Sequence, residues 1–222
     1  MSRRGLARGA PSYIVVEGPI GVGKTALAEK LARFFGSTAT LEATDNNPFL
    51  ERFYQDRKRG ALPAQLFYLF NRAQQIESLN QEDLFSPIRV ADFLIARDRL
   101  FAEINLDADE LKLYDQVGEQ LKIDVPTPEL VIYLQAPVAT LRARLRQQGS
   151  AQSEWFDDDY LTQVADAYAR FFFEYDDSPL LIVNAAEFDP VSNANDFQAL
   201  VQQIGAKPRG RQFFNPLATA IP

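Results

Sequence analysis

Cysteine and histidine are both absent from the 222-residue sequence. Without cysteine the chain has no disulfide, no thiol nucleophile and no thiolate metal site. Without histidine it lacks the side chain that most often accepts a proton near neutral pH. If the protein is an enzyme that works near neutral pH, its general base must therefore be a carboxylate, a lysine or a tyrosine.

Long apolar runs are also missing, and the charge balance is acidic. No stretch reaches the roughly 18 consecutive apolar residues that a membrane-spanning helix needs. The formal net charge is −7, whereas binding to a nucleic-acid polymer usually requires a basic surface. We therefore expect a soluble protein that binds neither a membrane nor a nucleic-acid polymer, and whose anionic ligands are small.

The length and composition fit one globular domain. Apolar residues make up 46% of the chain and charged residues 24%, which is typical of soluble domains. Residues 1–11 are small and basic, and they are not followed by the apolar segment of a secretory signal. We expect a flexible basic tail over residues 1–11 and a single domain over residues 12–222.

Short apolar runs recur along the chain and alternate with amphipathic stretches. These runs contain few polar residues, as expected for strands that are covered on both faces. The alternation predicts an α/β fold with a central parallel sheet flanked by helices, and places ligands beyond the carboxyl ends of the strands. The predicted strands are residues 12–17, 87–91, 130–134 and 180–183.

Two helices are predicted from apolar residues that recur every three or four positions. The second, over residues 161–175, is rich in aromatic side chains, which we expect to belong to the core and not to a ligand-stacking surface. The first has Pro63 in its first turn. Its apolar face is formed by Leu62, Leu66, Leu69, Ala73 and Ile76.

A glycine-rich segment follows the first predicted strand and precedes an amphipathic helix. It matches the pattern of glycine, four residues, glycine, lysine, and serine or threonine. Backbone amides of such a loop surround phosphate oxygens, the lysine adds positive charge, and the last hydroxyl binds Mg²⁺. The pattern predicts a nucleoside triphosphate site but leaves open a kinase, a switch protein and a motor. The predicted nucleotide-binding residues are Gly18, Pro19, Ile20, Gly21, Val22, Gly23, Lys24 and Thr25, of which Lys24 is also assigned to catalysis and Thr25 to the metal.

The sequence beyond this loop carries a longer pattern. Residues 41–50 read LEATDNNPFL and are followed by ERFYQDRKRGALPAQLFYLFNRAQQ. With the loop, these segments resemble the deoxyribonucleoside kinase family of the bacterial deoxyadenosine, deoxyguanosine and deoxycytidine kinase type, and the resemblance covers most of the chain. It implies a P-loop kinase with a short arginine-bearing lid, ATP and Mg²⁺ as cofactors, a deoxynucleoside acceptor, and a cytoplasmic homodimer.

The same resemblance implies roles in binding the acceptor. Glu42 corresponds to the catalytic carboxylate that accepts the proton of the nucleoside 5′-hydroxyl, which suits a chain without histidine. Tyr54 falls where the family contacts the sugar 3′-hydroxyl, and Gln65 falls where it pairs with the base edge. Arg72 lies two helical turns after Gln65, so both side chains can point at one ligand. Asp98 corresponds to the acid that faces the base.

Residues 90–102 depart from the family motif. Asp92 keeps the acidic position at a strand end, where it is expected to bind Mg²⁺ directly or through water. Phe93 stands where the family has an arginine, so the positive charge near the 5′-oxygen has to come from another residue. The candidates are Arg89, Arg97 and Arg99.

The predicted lid, residues 141–150, departs as well. Arg144 stands at a family position and is expected to clamp the transferred phosphoryl group, contributing to both nucleotide binding and catalysis. Gln148 and Ser150 stand where arginines are usual. Arg142 and Arg146 are further candidates, although a solvated basic helix face is an equally good interpretation of both.

These residues support three functional hypotheses. The leading one is phosphorylation of a deoxyribonucleoside 5′-hydroxyl by ATP, with deoxyadenosine or deoxyguanosine slightly favoured over deoxycytidine because Arg72 and Asp98 can read several polar edges. A nucleoside monophosphate kinase would need more basic residues around its acceptor, and Tyr54 and Gln65 fit a neutral nucleoside better. A non-catalytic nucleotide-binding regulator is motivated by Phe93 and the missing lid arginines.

Overall fold

The computed structural model describes residues 10–42, 47–81, 88–149 and 156–215. Its strands form one six-stranded sheet in which every neighbouring pair is parallel, in the order β2-β3-β1-β4-β5-β6. The predicted α/β fold with a central parallel sheet is confirmed. The strands are β1 Tyr13–Glu17, β2 Ala39–Thr40, β3 Arg89–Ala91, β4 Leu130–Gln135, β5 Leu180–Asn184 and β6 Arg211–Phe214.

Helices alternate with these strands along the chain. Among the residues described, no helix combines the length and the apolar character needed to cross a membrane. The helices are α1 Lys24–Phe35, α2 Leu50–Gln55, α3 Arg57–Gln81, α4 Ala96–Asn105, α5 Ala108–Leu121, α6 Val138–Gln148, α7 Asp158–Glu174 and α8 Ala194–Gly205.

The chain forms two compact units. Unit 1 consists of Met1–Leu41, Ser86–Phe93 and Thr127–Pro222 and contains the sheet with α1, α6, α7 and α8. Unit 2 consists of Glu42–Phe85 and Leu94–Pro126 and contains α2, α3, α4 and α5.

Only the last two residues of the tail expected over residues 1–11 are described by the structure. Residues 1–9 of that tail lie outside the described residues. Ala10 packs against the unit 1 core, and Pro11 is buried. The boundary between a tail over residues 1–11 and a domain over residues 12–222 stays a prediction.

The inner strands are buried because their sequences are almost wholly apolar. All five residues of β1, the first five of β4 and the first four of β5 are buried. The predictions of strands over residues 12–17, 130–134 and 180–183 are confirmed, and the one over residues 87–91 is confirmed from Arg89 onward. The uninterrupted apolar runs thus reflect strands covered on both faces.

Two edge strands are not evident from the sequence. β2 pairs with β3 and has only two residues. A strand this short shows no recognisable apolar pattern in the sequence. β6 pairs with β5 and alternates exposed with half-buried residues. The position of β6 is set by backbone hydrogen bonding at the sheet edge. Such pairing leaves no apolar pattern in the local sequence.

Most of the aromatic residues of α7 belong to the core of unit 1, as predicted, whereas Phe173 is 76% exposed. Tyr168 and Phe172 are 1% and 2% exposed. The ring centroid of Phe172 lies 4.3 Å from that of Tyr133 on β4, in a stacked arrangement. These rings bury apolar area and fix the position of α7 against the sheet.

Helix α3 in unit 2 begins earlier than predicted. The expectation that Pro63 lies in the first turn is wrong, because the helix starts at Arg57 and Pro63 is inside it. Asp56 begins this helix, since its side chain accepts from the Arg59 amide at 3.3 Å and its carbonyl accepts from the Gly60 amide at 2.9 Å. The first turn is polar, so apolar spacing alone does not reveal it.

Gly60 allows α3 to approach α2 closely. A β-carbon added at Gly60 would lie 2.3 Å from the Cα of Phe53 and 2.4 Å from its nitrogen. No side chain can occupy that space without moving the backbone of α2. Gly118 on α5 has no such constraint, because its added β-carbon would meet only the Cδ2 of Leu69 at 3.9 Å.

Gly60→Ala should therefore destabilise the protein by about 1–3 kcal/mol, as overpacking does. Gly118→Ala is the matched control, because it replaces another helical glycine of unit 2 and should be neutral or stabilising by about 0.5–1 kcal/mol. Urea unfolding of the two variants measures both changes. Equal stability of the two variants would contradict the close approach of α2 and α3.

Candidate functional site

The glycine-rich segment forms a tight loop between β1 and α1. Gly18 has a φ of 150°, and a β-carbon added there would lie 2.4 Å from the carbonyl oxygen of Leu134 on β4. Gly21 and Gly23 also have positive φ, at 80° and 103°. Only glycine reaches such conformations without strain. The loop from Gly18 to Thr25, which we call the phosphate loop, is therefore built around its glycines.

Two side chains of the phosphate loop take up defined positions. The Lys24 Nζ donates to the Pro19 carbonyl oxygen at 3.1 Å, within the loop itself. The Thr25 hydroxyl donates to the Asp92 Oδ2 at 2.6 Å. Asp92, which follows β3, is 3% exposed. The structure thus brings together the two residues expected to bind Mg²⁺, and a hydroxyl beside a carboxylate provides the oxygen ligands that this ion prefers.

Arg144 joins the phosphate loop to two other elements of unit 1. From helix α6, its Nη1 donates to the Val22 carbonyl at 2.8 Å and its Nη2 donates to the Ala185 carbonyl at 2.6 Å. Ala185 directly follows β5. In this arrangement the guanidinium contacts the backbone of the phosphate loop and supports it. The predicted role of Arg144 as a clamp on the phosphoryl group stays a prediction.

The other lid residues are placed differently. Arg142 binds the Asp158 carboxylate and the Phe156 carbonyl, so it joins α6 to the start of α7. Arg146 and Gln148 are exposed on α6. Ser150 lies outside the described residues.

Glu17 is a buried carboxylate that the sequence interpretation did not single out. It is the last residue of β1, and its Oε2 accepts from the Gly18 amide and from the Tyr168 hydroxyl, both at 3.0 Å. Burial, followed by the negative charge of Glu17, raises the pKa of Tyr133 to about 12. The available signal was one acidic residue that ends an otherwise apolar strand immediately before the loop. Glu17 fixes the backbone where the phosphate loop begins.

Unit 2 contains four charged side chains in one group, here called the charge cluster. Its members are Arg72, Arg97 and Asp98, which are buried, and Glu42, which is 15% exposed. The Arg72 Nη2 donates to the Glu42 Oε1 at 2.8 Å. The Arg72 guanidinium also donates to both Asp98 oxygens, at 2.9 and 3.2 Å. The Arg97 Nη2 donates to the same Glu42 oxygen. Three of the predicted acceptor residues thus meet, and Arg97 joins them.

The charge cluster is balanced, and three of its four members are shielded from water. Arg72 is 1% exposed and Asp98 5% exposed, and two cations face two carboxylates. Burial disfavours the charged form of Arg72, but the neighbouring Asp98 and Glu42 outweigh it and raise the pKa of Arg72 above its ordinary value. Such buried groups contribute little net stability, but they hold each other in one geometry.

Two further acceptor candidates lie on helices of unit 2. Gln65 is 5% exposed on α3. Tyr54 on α2 is half-buried, and its ring centroid lies 5.1 Å from that of Phe53. Their contacts with a sugar and a base stay predictions.

The three arginines considered as the source of positive charge near the 5′-oxygen, in place of Phe93, lie in different environments. Phe93 is 1% exposed. Arg89 lies over the ring of Tyr13, 4.8 Å from its centroid. The Arg99 guanidinium binds the exposed carboxylates of Asp115 and Glu103. Arg97 is the candidate that contacts Glu42.

The sheet topology and the phosphate loop between β1 and α1 define the class: a P-loop nucleotide-binding protein. The family model for deoxynucleoside kinase matches residues 14–207. The chain therefore belongs to the deoxynucleoside kinase family, and it is a phosphotransferase. The resemblance seen in the sequence is confirmed.

Relatives and solved structures agree with this assignment. A deoxyguanosine kinase of Bacillus subtilis (strain 168) is 30% identical over 198 residues, or 86% of this chain and 95% of the relative. A deoxyadenosine kinase of Lactobacillus acidophilus is 30% identical over 210 residues, or 88% of this chain and 96% of the relative. The structure of deoxyadenosine kinase from M. mycoides with bound dATP shares the fold, with a TM-score of 0.73, 20% identity, and coverage of 87% of this chain and 98% of that one.

The bond between Tyr168 and Glu17 can be tested by stability. Tyr168→Phe removes a donor to a buried carboxylate and should lower the free energy of unfolding by about 2 kcal/mol, because hydrogen bonds to charged groups are the stronger kind. Tyr175→Phe is the control, since the hydroxyl of this buried tyrosine donates to the neutral Ser178 hydroxyl at 2.9 Å. Its loss should be about 1 kcal/mol. Denaturant unfolding compares them, and a smaller loss for Tyr168→Phe would contradict the assignment.

Proposed function

We propose that this protein transfers the γ-phosphate of ATP to the 5′-hydroxyl of a deoxyribonucleoside, giving the deoxynucleoside monophosphate for nucleotide salvage. The proposal assigns donor binding to unit 1 and acceptor binding to unit 2. The observation that carries it is the meeting of Glu42, Arg72 and Asp98 in one charge cluster, although they are 30 and 26 residues apart along the chain. These are the residues that the family pattern assigns to the acceptor.

On the donor side, the amides of the phosphate loop and Lys24 would hold the phosphates. The positive end of α1 and the lysine charge favour an anion at this position. Thr25 and Asp92 would hold Mg²⁺, which when bound neutralises phosphate charge during phosphoryl transfer. Arg144 supports the loop from the Val22 carbonyl and would be the lid residue nearest the phosphates.

On the acceptor side, Glu42 would accept the proton of the 5′-hydroxyl. A carboxylate serves as the base in a chain that has no histidine, and phosphoryl transfer depends chiefly on positioning and charge stabilisation. Tyr54 would contact the sugar 3′-hydroxyl. Gln65, Arg72 and Asp98 would read the base, because together they present both donors and acceptors.

A purine base is slightly preferred in this proposal. Arg72 and Asp98 present several polar atoms, and the relatives at 30% identity are named as deoxyguanosine and deoxyadenosine kinases. A relative at 27% identity is a deoxyadenosine/deoxycytidine kinase, so deoxycytidine belongs among the candidate acceptors. We also propose a cytoplasmic homodimer, which sedimentation of the purified chain would test.

A panel of acceptors tests the activity directly. The purified protein is incubated with ATP, Mg²⁺ and each deoxynucleoside or deoxynucleoside monophosphate, and products are separated by chromatography. We expect monophosphates from deoxyadenosine or deoxyguanosine. Turnover confined to monophosphate acceptors would indicate a nucleoside monophosphate kinase, and ATP binding without turnover on any acceptor would indicate a regulator.

The role of Glu42 gives a sharper test. Glu42→Gln should lower kcat about a hundredfold or more, because the amide cannot accept the proton. ATP affinity, measured by titration calorimetry, should stay close to wild type. Glu103→Gln is the control, since Glu103 is an exposed carboxylate bound to Arg99, and its turnover should not change. Near-wild-type turnover of Glu42→Gln would remove Glu42 from the mechanism.

A further inference from the structure

Phe93 leaves this chain without an arginine at the position where the family motif carries one. The side chain at this position is apolar and 1% exposed, so it supplies no charge. We infer that Arg97, four residues later on α4, is the positioning residue that holds Glu42 in its ionised, oriented form. This inference rests on the proposed function and adds a residue to its acceptor site.

The contacts of Arg97 carry the inference. Its Nη2 donates to the Glu42 Oε1, which also accepts from the Arg72 Nη2 at 2.8 Å. The Arg97 side chain is 7% exposed, and its guanidinium carbon lies 5.5 Å from the centroid of the Phe101 ring. The guanidinium is therefore fixed between a carboxylate and an aromatic ring, and it directs its charge at Glu42.

The charge balance explains why Arg72 alone does not suffice. Arg72 donates to both oxygens of Asp98, at 2.9 and 3.2 Å, so its charge is shared with a second carboxylate. Arg97 is 3.9 Å from the nearer Asp98 oxygen and contacts Glu42 more closely. Without Arg97, the Arg72 cation alone would face the two carboxylates, of which Asp98 is 5% and Glu42 15% exposed. Glu42 would then bind a proton more readily. A protonated Glu42 cannot act as a base.

Helix geometry separates Arg97 from Arg99. Residues two positions apart on an α-helix point in directions about 200° apart. Arg97 faces the charge cluster, whereas Arg99 binds Asp115 and Glu103 and is 52% exposed. The two arginines of α4 thus have different environments.

The test measures kcat against pH for Arg97→Gln, Arg97→Lys and wild type, with a deoxynucleoside that wild type phosphorylates. Arg97→Gln should lower kcat about tenfold or more and move the acidic limb of the pH profile up by about one unit, because Glu42 loses a neighbouring cation. Arg97→Lys keeps the positive charge but loses the planar, forked arrangement of guanidinium donors. Its acidic limb should therefore stay near that of wild type, and its kcat should fall less than that of Arg97→Gln.

Two controls accompany these variants. Arg59→Gln removes an exposed arginine that pairs with Asp56 and should change neither kcat nor the acidic limb. Arg99→Gln tests the competing candidate, and a shift of the limb in this variant but not in Arg97→Gln would overturn the inference. ATP affinity reports folding. If Arg97→Gln fails to bind ATP, the kcat of the other two variants decides: it should fall in Arg97→Lys and stay near wild type in Arg99→Gln, and the reverse would overturn the inference.

The remaining outcomes are distinguishable from failure of the proposed function. Wild-type kcat in Arg97→Gln would overturn the inference. A lower kcat with an unmoved acidic limb would also overturn it, because loss of packing alone does not alter the titration of Glu42. Absence of turnover by wild type on every deoxynucleoside would refute the proposed function itself.

Discussion

The charge cluster of unit 2 depends on the pairing of one partly exposed carboxylate with two buried arginines. Glu42 accepts from both Arg72 and Arg97, while Arg72 also binds Asp98. Cations beside a partly buried carboxylate favour its charged form. If Glu42 acts as the base, as we propose for this chain without histidine, its charge state depends on the arginines that surround it.

The phosphate loop depends on close backbone packing. The phosphate loop begins at Gly18, where a side chain would collide with the Leu134 carbonyl. Glu17 holds the first loop amide, and Arg144 holds the Val22 carbonyl. Loop amides can bind phosphate only if their directions are fixed beforehand. Residues outside the sequence pattern, Glu17 and Arg144, therefore also hold the loop in place.

The departures from the family pattern lie in different surroundings. At Phe93 an arginine is missing, and Arg97 brings a guanidinium to Glu42 from another position on the chain. In the lid, Arg144 contacts backbone carbonyls, whereas Arg142 joins α6 to α7 through Asp158. A comparison of the motif residue by residue counts Phe93 as the loss of a charge, although Arg97 brings a charge to Glu42 from a different position.

The sequence by itself determined the α/β fold, the inner strands and the phosphate loop, because apolar runs and glycine spacing are local properties of the chain. With the family resemblance it also named Glu42, Arg72 and Asp98. Only the tertiary structure showed that Arg97 and not Arg99 contacts Glu42, that Glu17 is tied to Tyr168, and that α3 begins before Pro63. These facts depend on contacts between residues distant along the chain and on backbone capping by Asp56, and neither leaves a periodic pattern in the sequence.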